Sequence, residues 1–387
     1  MAQTVVEALA VEHEVTVLCG RPSYDPSERR AWRLWRTERA SGSLRGANVT
    51  VVRVGSTDYS RTEMRRRVLN YLTYVALSVP MALVTPCDVV LGMTDPPFEG
   101  IAAAFVALLK GEPFVYNVRD MYPDMAVGGS IVRAGPLTRV WEMLHRWALR
   151  RATRVVALGE DMRARIVAKG VQPERVEVVR DGAEIREGGS EHAVDPEVVR
   201  AIRGNFNFVL LHAGNLGFYG AWETLIAAAR NLADDGVGLI FVGDGAQRGR
   251  IETAAAGCTN VRFLPFFPTS KIASVLAAPD AHVVTIRRGL EGVIVPSKVY
   301  GILAAGKPIV AVAGRETDVA KIGGERGFAV SADPDDSAQV ADVVRRISRN
   351  PETLRRMGQA ARAAANDYDR VTELRKFVRI IEEARSA

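Results

Sequence analysis

Short apolar runs rich in β-branched residues alternate along this chain with longer stretches in which apolar residues recur every three or four positions. Runs of the first kind are buried strands of a parallel sheet, and stretches of the second are amphipathic helices. In the first half, Glu14 to Cys19, Val49 to Val54, Asp88 to Leu91, Pro113 to Val118, Arg154 to Ala157 and Val176 to Val179 read as strands. Thr4 to Ala10, Gly100 to Leu109, Val140 to Arg151 and Glu160 to Lys169 read as helices among them, the third with Trp141, Leu144, Trp147 and Ala148 as a core stripe. Between Glu184 and Asn205 the apolar content falls away and Gly, Glu, Ser and Asp take over, which marks a linker at 186–206. The alternation then restarts. Strands are expected at Phe208 to His212, Leu239 to Val242, Val261 to Leu264, Ala281 to Thr285, Ile309 to Val312 and Phe328 to Val330. Helices are expected at Trp222 to Leu232, Thr269 to Leu276, Asp336 to Ser348, Pro351 to Asn366 and Val371 to Ala384. The pattern predicts an α/β protein of two doubly wound, Rossmann-like domains, 1–185 and 207–366, with a last helix in 367–387 able to cross back to the first.

The alternation is entered at a helix. A doubly wound domain opens with a strand and a Gly-rich turn feeding that helix, and neither stands ahead of Thr4. Residues 21–48 are polar and arginine-rich, with Trp32 and Trp35 at helical spacing, and read as a surface excursion.

Composition narrows the classes. A chain of 387 residues with 48% hydrophobic and 25% charged residues is long enough for two packed cores. The net charge of +6 suits phosphorylated ligands or an anionic surface, but the basic residues are scattered and not interleaved with aromatics, so nucleic-acid binding is not expected. Cys19, Cys87 and Cys258 are odd in number and far apart, which suggests neither disulfides nor zinc and fits a reducing cytoplasm. No His, Asp or Glu set has metal-ligand spacing, and His212 and His282 read as core histidines, so no metal or other cofactor is expected. No signal peptide is seen, and no apolar run reaches the roughly 18 to 20 residues of a membrane span. The run Val68 to Val84, entered through Arg61, Arg65, Arg66 and Arg67, reads either as a buried helix or as one in peripheral contact with an anionic membrane.

Candidate chemistry concentrates in Glu291 to Val312, EGVIVPSKVYGILAAGKPIVAV. It passes from a loop through Pro296, Ser297 and Lys298 into a helix, breaks at Gly306-Lys307-Pro308, and ends in a strand. Ser297 reads as the N-cap, and the helix start with Lys298 beside it is suited to a phosphate. Two glycine turns follow strands in the same half, Gly214-Asn215-Leu216-Gly217 and Gly243-Asp244-Gly245. The first can carry backbone N–H groups close to a pyrophosphate, and the second could equally be structural. In the first half Arg119 and Asp120 fall at the carboxyl end of a predicted strand, where open parallel sheets bind ligands, or they cap the next helix.

The runs AGNLGFYGAWETLIAAA, GDGAQRGRIE, VRFLPFF, PDAHVV, VPSKVYGILAAGKPIVAV and NPETLRRMGQAARAAANDYD resemble, in order and interval, the nucleotide-sugar domain of family four glycosyltransferases of the GT-B fold. MTDPPFEGIAAA, NVRDMYPDMAV and VVRDGAE are similar to acceptor-domain landmarks of the subgroup that builds bacterial surface polysaccharides. The resemblance implies two lobes facing a cleft, 1–185 on the acceptor side. It implies transfer, with retention and without metal, from a UDP- or GDP-linked sugar to a saccharide or polyprenyl-linked acceptor; the location expected is the cytoplasm, with the inner face of the cell membrane left open by Arg61 to Arg67 and the adjoining apolar run. Lys298, Ser297, Pro296 and the Gly214, Asn215, Gly217 turn would face the diphosphate, with Gly243 and Asp244 beside them. Phe266 and Phe267 would hold the base, Glu291 the donor sugar or ribose, and Asp120 and Arg119 the sugar and acceptor hydroxyl. Two other outcomes remain open, a nucleotide-sugar epimerase of the same fold and a catalytically silent partner subunit. Three departures bear on them. The family's glutamate pair falls on Val293 and Gly301, the usual Arg and Lys after the first glycine turn are replaced by Phe218, Tyr219 and Gly220, and the first strand is not seen. The expectation is that in-frame codons ahead of Met1 encode that strand, or that the chain folds poorly.

Overall fold

The computed structural model describes residues 2–20, 38–44, 47–59, 64–184 and 194–386. The first half comprises α1 (Ala2–Leu9), β1 (Val15–Cys19), β2 (Glu38–Leu44), β3 (Ala47–Arg53), α2 (Met64–Val84), β4 (Val90–Gly92), α3 (Glu99–Lys110), β5 (Phe114–Asn117), α4 (Asp124–Gly128), α5 (Pro136–Arg151), β6 (Arg154–Ala157), α6 (Glu160–Ala168) and β7 (Val176–Val178). The second comprises α7 (Pro196–Arg203), β8 (Phe208–Ala213), α8 (Trp222–Asn231), β9 (Val237–Val242), α9 (Arg248–Ala254), β10 (Val261–Leu264), α10 (Ile272–Ala277), β11 (Ala281–Thr285), α11 (Lys298–Ala304), β12 (Ile309–Val312), α12 (Asp318–Glu325), β13 (Ala329–Ala332), α13 (Ser337–Ser348), α14 (Pro351–Asp367) and α15 (Arg370–Arg385).

In the second half the six strands run parallel in the order β10-β9-β8-β11-β12-β13. Every residue of β9, β11 and β12 is buried, as a strand covered by helices on both faces must be. One apolar layer joins the sheet to α8 and α13 through Trp222, Leu225, Phe241, Val340 and Val344, and the other joins it to α7 and α10. Side-chain caps set the helix starts: Asp195, Asp336, Asn350 and Asp369 each accept from a backbone N–H within the first turn. The order of strands reverses between β8 and β11, and their carboxyl ends open a crevice there.

Among the described residues the first-half strands lie in two sheets, β1-β3-β2 and β4-β5-β6-β7. Val15 of β1 and Leu91 of β4 pack against the same apolar layer, formed by Val5, Leu9, Val115, Val156 and Val179 with Phe377, Ile380 and Ala384 of α15. The chain's last helix thus completes the core of its first half. It is pinned there by main-chain hydrogen bonds between Ala183 and the junction before it, Ala183 N–H to the Tyr368 carbonyl (2.6 Å) and Arg370 N–H to that of Ala183 (3.0 Å).

Several expectations are corrected. The span 186–206 carries α7, whose Val198 and Ile202 pack under β8 and β9. The stretch read as a surface excursion carries β2, antiparallel to β3 with Glu38 opposite Arg53, while Trp32 and Trp35 lie outside the described residues. On α5 the buried residues are Thr138, His145, Ala148 and Leu149, and Leu144 is exposed, so the stripe assigned to the core points partly outwards.

Candidate active site

The crevice between β8 and β11 is lined by two glycine turns that lean on each other. Gly214 N–H donates to the Val242 carbonyl (2.9 Å) and Leu216 N–H to that of Asp244 (2.8 Å). A Cβ on Gly243, at φ 142°, would stand 2.0 Å from the Gly214 carbonyl oxygen, so only glycine permits this approach. Asp244 accepts from Gly245 N–H (2.8 Å), and Asn215 stands exposed at the tip of its turn with its carbonyl accepting from the Tyr219 hydroxyl. The Gly217 carbonyl accepts from the Trp222 indole (2.7 Å), which locks the turn onto the core.

Lys298 opens α11 and sends its amine under the first turn, Nζ lying 3.5 Å from where a Gly214 Cβ would be. Nζ is 3.1 Å from His212 Nε2. Burial, then the Lys298 charge, holds His212 well below the usual imidazole range, so it stays neutral and accepts from the ammonium. Burial also pulls Lys298 down to about 7. No carboxylate pairs with it among the described residues, so a half-buried cation stands at the switch point without a counter-charge. Ser297 sits at the N-cap position but has helical dihedrals (φ −60°, ψ −22°) and makes no side-chain hydrogen bond to the helix, so the cap expected of it is not formed.

The rim carries the remaining residues of the second half. Phe266 is 59% exposed, and its ring edge would lie 3.3 Å from a Gly243 Cβ; Phe267 is turned toward the α7 and α10 layer. Glu291 accepts from Gly289 N–H (2.7 Å) through Oε2, while Oε1 is buried without a partner among the described residues, and its Cγ lies close to Gly314, just past β12. Pro296 lines a small apolar recess with Tyr300, Val319 and Phe328 behind the turn.

The first half meets this rim through residues 119–121. Asp120 forms an antiparallel bridge with Ile294, and Met121 N–H donates to the Val293 carbonyl (2.9 Å). The backbone N–H groups of Arg119 and Asp120 both donate to Thr94 Oγ1 (3.1 Å). Burial raises the Asp120 carboxyl to about 6, opposed by Arg119 and assisted by Asp95. Tyr219 of the glycine turn is pushed up by burial and, less, by the Asp120 charge. Arg119 is engaged elsewhere, in a bidentate pair with Asp181 (2.7 Å for each bond), and anchors the loop from behind.

Two residues escaped the sequence reading. His212 looked like a core histidine and is one, yet it also orients Lys298; the 86 positions between them leave no local signal. Arg287, just past β11, donates its backbone N–H to Tyr219 of the glycine turn (2.7 Å), and its half-buried guanidinium has no partner among the described residues. His282, by contrast, is only structural, bonded to the Leu276 carbonyl (2.9 Å).

Two facing Rossmann-like lobes with the crevice at the C-terminal lobe's switch point define the GT-B architecture. Residues 1–182 match the glycosyl transferase 4-like domain and residues 207–350 match glycosyl transferases group 1. The chain belongs to the family 4 glycosyltransferases and is a transferase. It is 26% identical over 393 residues to a provisionally assigned colanic acid biosynthesis glycosyl transferase, WcaI of Escherichia coli K12, covering 97% of this chain and 93% of that one. Among solved structures it is similar to Anabaena HepE in complex with UDP-glucose (TM-score 0.64, 19% identity, 87% and 86% of the two chains). It is also similar to a trehalose-6-phosphate synthase examined for glycosyltransfer with retention (TM-score 0.70, 14% identity, 99% and 96%).

Proposed function

We propose that the chain moves a sugar from a UDP- or GDP-linked donor to a saccharide or polyprenyl-linked acceptor in surface-polysaccharide synthesis, at the cytoplasmic face of the membrane and with retention of anomeric configuration. The observation that carries this reading is Lys298, a half-buried cation beneath the Gly214 turn with no carboxylate to neutralise it among the described residues. A nucleoside diphosphate would supply the missing charge, and the charge grows as the diphosphate leaves, so the same contact favours the transition state over the ground state. The orphaned Oε1 of Glu291 suits a donor-sugar hydroxyl, and the exposed Phe266 ring suits stacking on the base. Asp120 orients the acceptor hydroxyl, which attacks from the side the diphosphate leaves; its proton passes to the departing phosphate oxygen as the new bond to C1 forms. No metal is called on, because the cations are supplied by side chains. UDP-binding HepE and retaining trehalose-6-phosphate synthase, both of similar fold, support donor and stereochemistry by likeness.

The test is a thermal-shift panel of UDP, GDP and their sugars on the parent chain and Lys298→Ala. The parent should be stabilised by one nucleotide series, and the variant should lose at least half of that shift. If no nucleotide stabilises the folded parent, this reading fails.

A further inference from the structure

A recess lies at the far end of the second lobe's sheet from the crevice. The crevice opens at the carboxyl ends of β8 and β11, whereas the recess opens at the amino ends of β11 and β12, between Asp280, the turn Gly306-Lys307-Pro308 and one face of α14. Its volume is about 560 Å³, within the range of small-molecule sites and more than a phosphate ion fills. Two glycines shape it. Gly306 follows α11 at φ 64°, and a Cβ on Gly358 of α14 would stand 2.7 Å from the Gly306 carbonyl oxygen, so helix and turn meet backbone to backbone.

The lining is lopsided in charge. It holds Lys307, Arg355 and Arg362 against one carboxylate, Asp280, whose oxygens are already taken by Arg203 (3.2 and 3.0 Å) and by the Val209 N–H (2.7 Å). Lys307 Nζ donates to the Pro279 carbonyl (2.9 Å). Burial holds this amine below the usual lysine range, opposed by Asp280 and assisted by the charges of Arg203 and Arg362. Arg362 lies over the turn, with Nε and Nη2 2.9 Å from where a Gly306 Cβ would be, yet its guanidinium has no hydrogen-bond or ion-pair partner among the described residues. Arg355 pairs with Glu352 of its own helix (2.7 Å), an exposed contact that water weakens and an incoming anion can displace. Cations placed only to offset the carbonyl end of α11 would donate to its last carbonyls. Lys307 donates instead to Pro279, and Arg362 to none of the described residues.

Arg355, Gln359, Arg362 and Asn366 follow one another at intervals of four, three and four, so they form one stripe of α14. Guanidinium forks suit a phosphate, and the two amides between and beyond them offer donors and acceptors that suit hydroxyls. Lys298 and Gly306 stand at opposite ends of α11, on the order of 10 Å apart along its axis, so a ligand here does not share the crevice.

We propose that this recess binds a sugar phosphate, with the phosphate held by Lys307, Arg355 and Arg362 and the sugar hydroxyls by Gln359 and Asn366. The site is separate from the crevice and does not depend on the glycosyltransferase reading.

The experiment is calorimetric titration of the whole chain, at fixed ionic strength, with glucose 1-phosphate, inorganic phosphate and glucose. The parent, Arg362→Gln, Gln359→Glu and Lys298→Ala are compared. The parent should bind glucose 1-phosphate, inorganic phosphate more weakly, and glucose not at all. Arg362→Gln should weaken the sugar phosphate about tenfold by removing a charge-assisted contact. Gln359→Glu, nearly isosteric and at an exposed position, should weaken it by a similar factor through repulsion, which decides the matter should the arginine variant fold poorly. Lys298→Ala should bind it as the parent does. The site is overturned if the parent binds neither phosphate, or if the two recess variants bind as the parent does. It is equally overturned if Lys298→Ala abolishes binding, since the phosphate then sits in the crevice. Equal affinity for inorganic phosphate would overturn the assignment to a sugar phosphate. A nucleotide panel without any stabilisation would sink the enzymatic reading and leave this site standing.

Discussion

Lys298 couples the site to pH in a direction that can be worked out. Its pKa falls on folding to about 7, so below that pH the amine is charged in both states and burial costs stability in full. As pH rises above about 7 the native state releases the proton first, and this cost is relieved. A bound diphosphate reverses the preference and holds the amine protonated. UDP affinity should therefore fall as pH climbs through about 7, with proton uptake on binding that calorimetry in buffers of different ionisation enthalpy would register; Lys298→Ala should show neither. Asp120 works with the opposite sign. Burial lifts its carboxyl to about 6, so the carboxylate needed to orient an acceptor forms as pH rises through that value. Asp120→Asn should lose about 10²–10⁴ in kcat and the acid limb of the pH profile, with donor affinity unchanged.

At the scale of elements, the starts of α6 and α12 face each other across the lobes and cap one another. The Asp318 carboxylate accepts from the N–H groups of Glu160 (3.0 Å) and Asp161 (3.3 Å), Asp161 Oδ2 accepts from Asp318 N–H (3.3 Å), and Arg180 lies 3.4 Å from Asp318. Asp318→Ala strands two helix N-terminal amides and a half-buried guanidinium at once. It should cost about 1–3 kcal/mol in urea unfolding, with a larger effect than Asp161→Asn, which keeps an acceptor in place. Within α11, a Cβ on Gly301 would meet only Leu276 at 3.4 Å. Gly301→Ala should therefore stabilise by up to about 1 kcal/mol through helix propensity, and nucleotide shift should be kept. Elements were legible where burial on both faces forces an apolar run, as in β9, β11 and β12. They were not legible where it does not. β2 is polar and paired along one edge to β3, so it resembles a loop, and α3 reads as a core helix because a string of alanines and leucines carries no mark of the side left uncovered. Lys298 and the glycine turns could be found from local pattern, but the neutral histidine beneath the lysine and the free guanidinium of Arg287 are set by contacts between distant strands. The Ser297 cap failed for a related reason, since a cap depends on a dihedral angle that residue type only favours.

For the whole molecule, α15 is the decisive element. Phe377 is 3% exposed, although it lies in the last helix, because it is packed among Val115, Val156 and Val179 of the opposite lobe. Phe377→Ala should cost about 3–5 kcal/mol. Its unfolding should show the first lobe melting ahead of the second, which a tryptophan probe at Trp141 or Trp147 would separate from one at Trp222.

That crossing also sets the terms for any exchange of parts among relatives. A recombinant cut once between the halves would hand the first lobe a stranger's closing helix. A viable hybrid needs two seams, one near residue 194 and one near Asp369, so that each lobe keeps the wall it was built against. The second lobe could then be transplanted as a single inserted cassette, while the first stays with the two flanking pieces of chain.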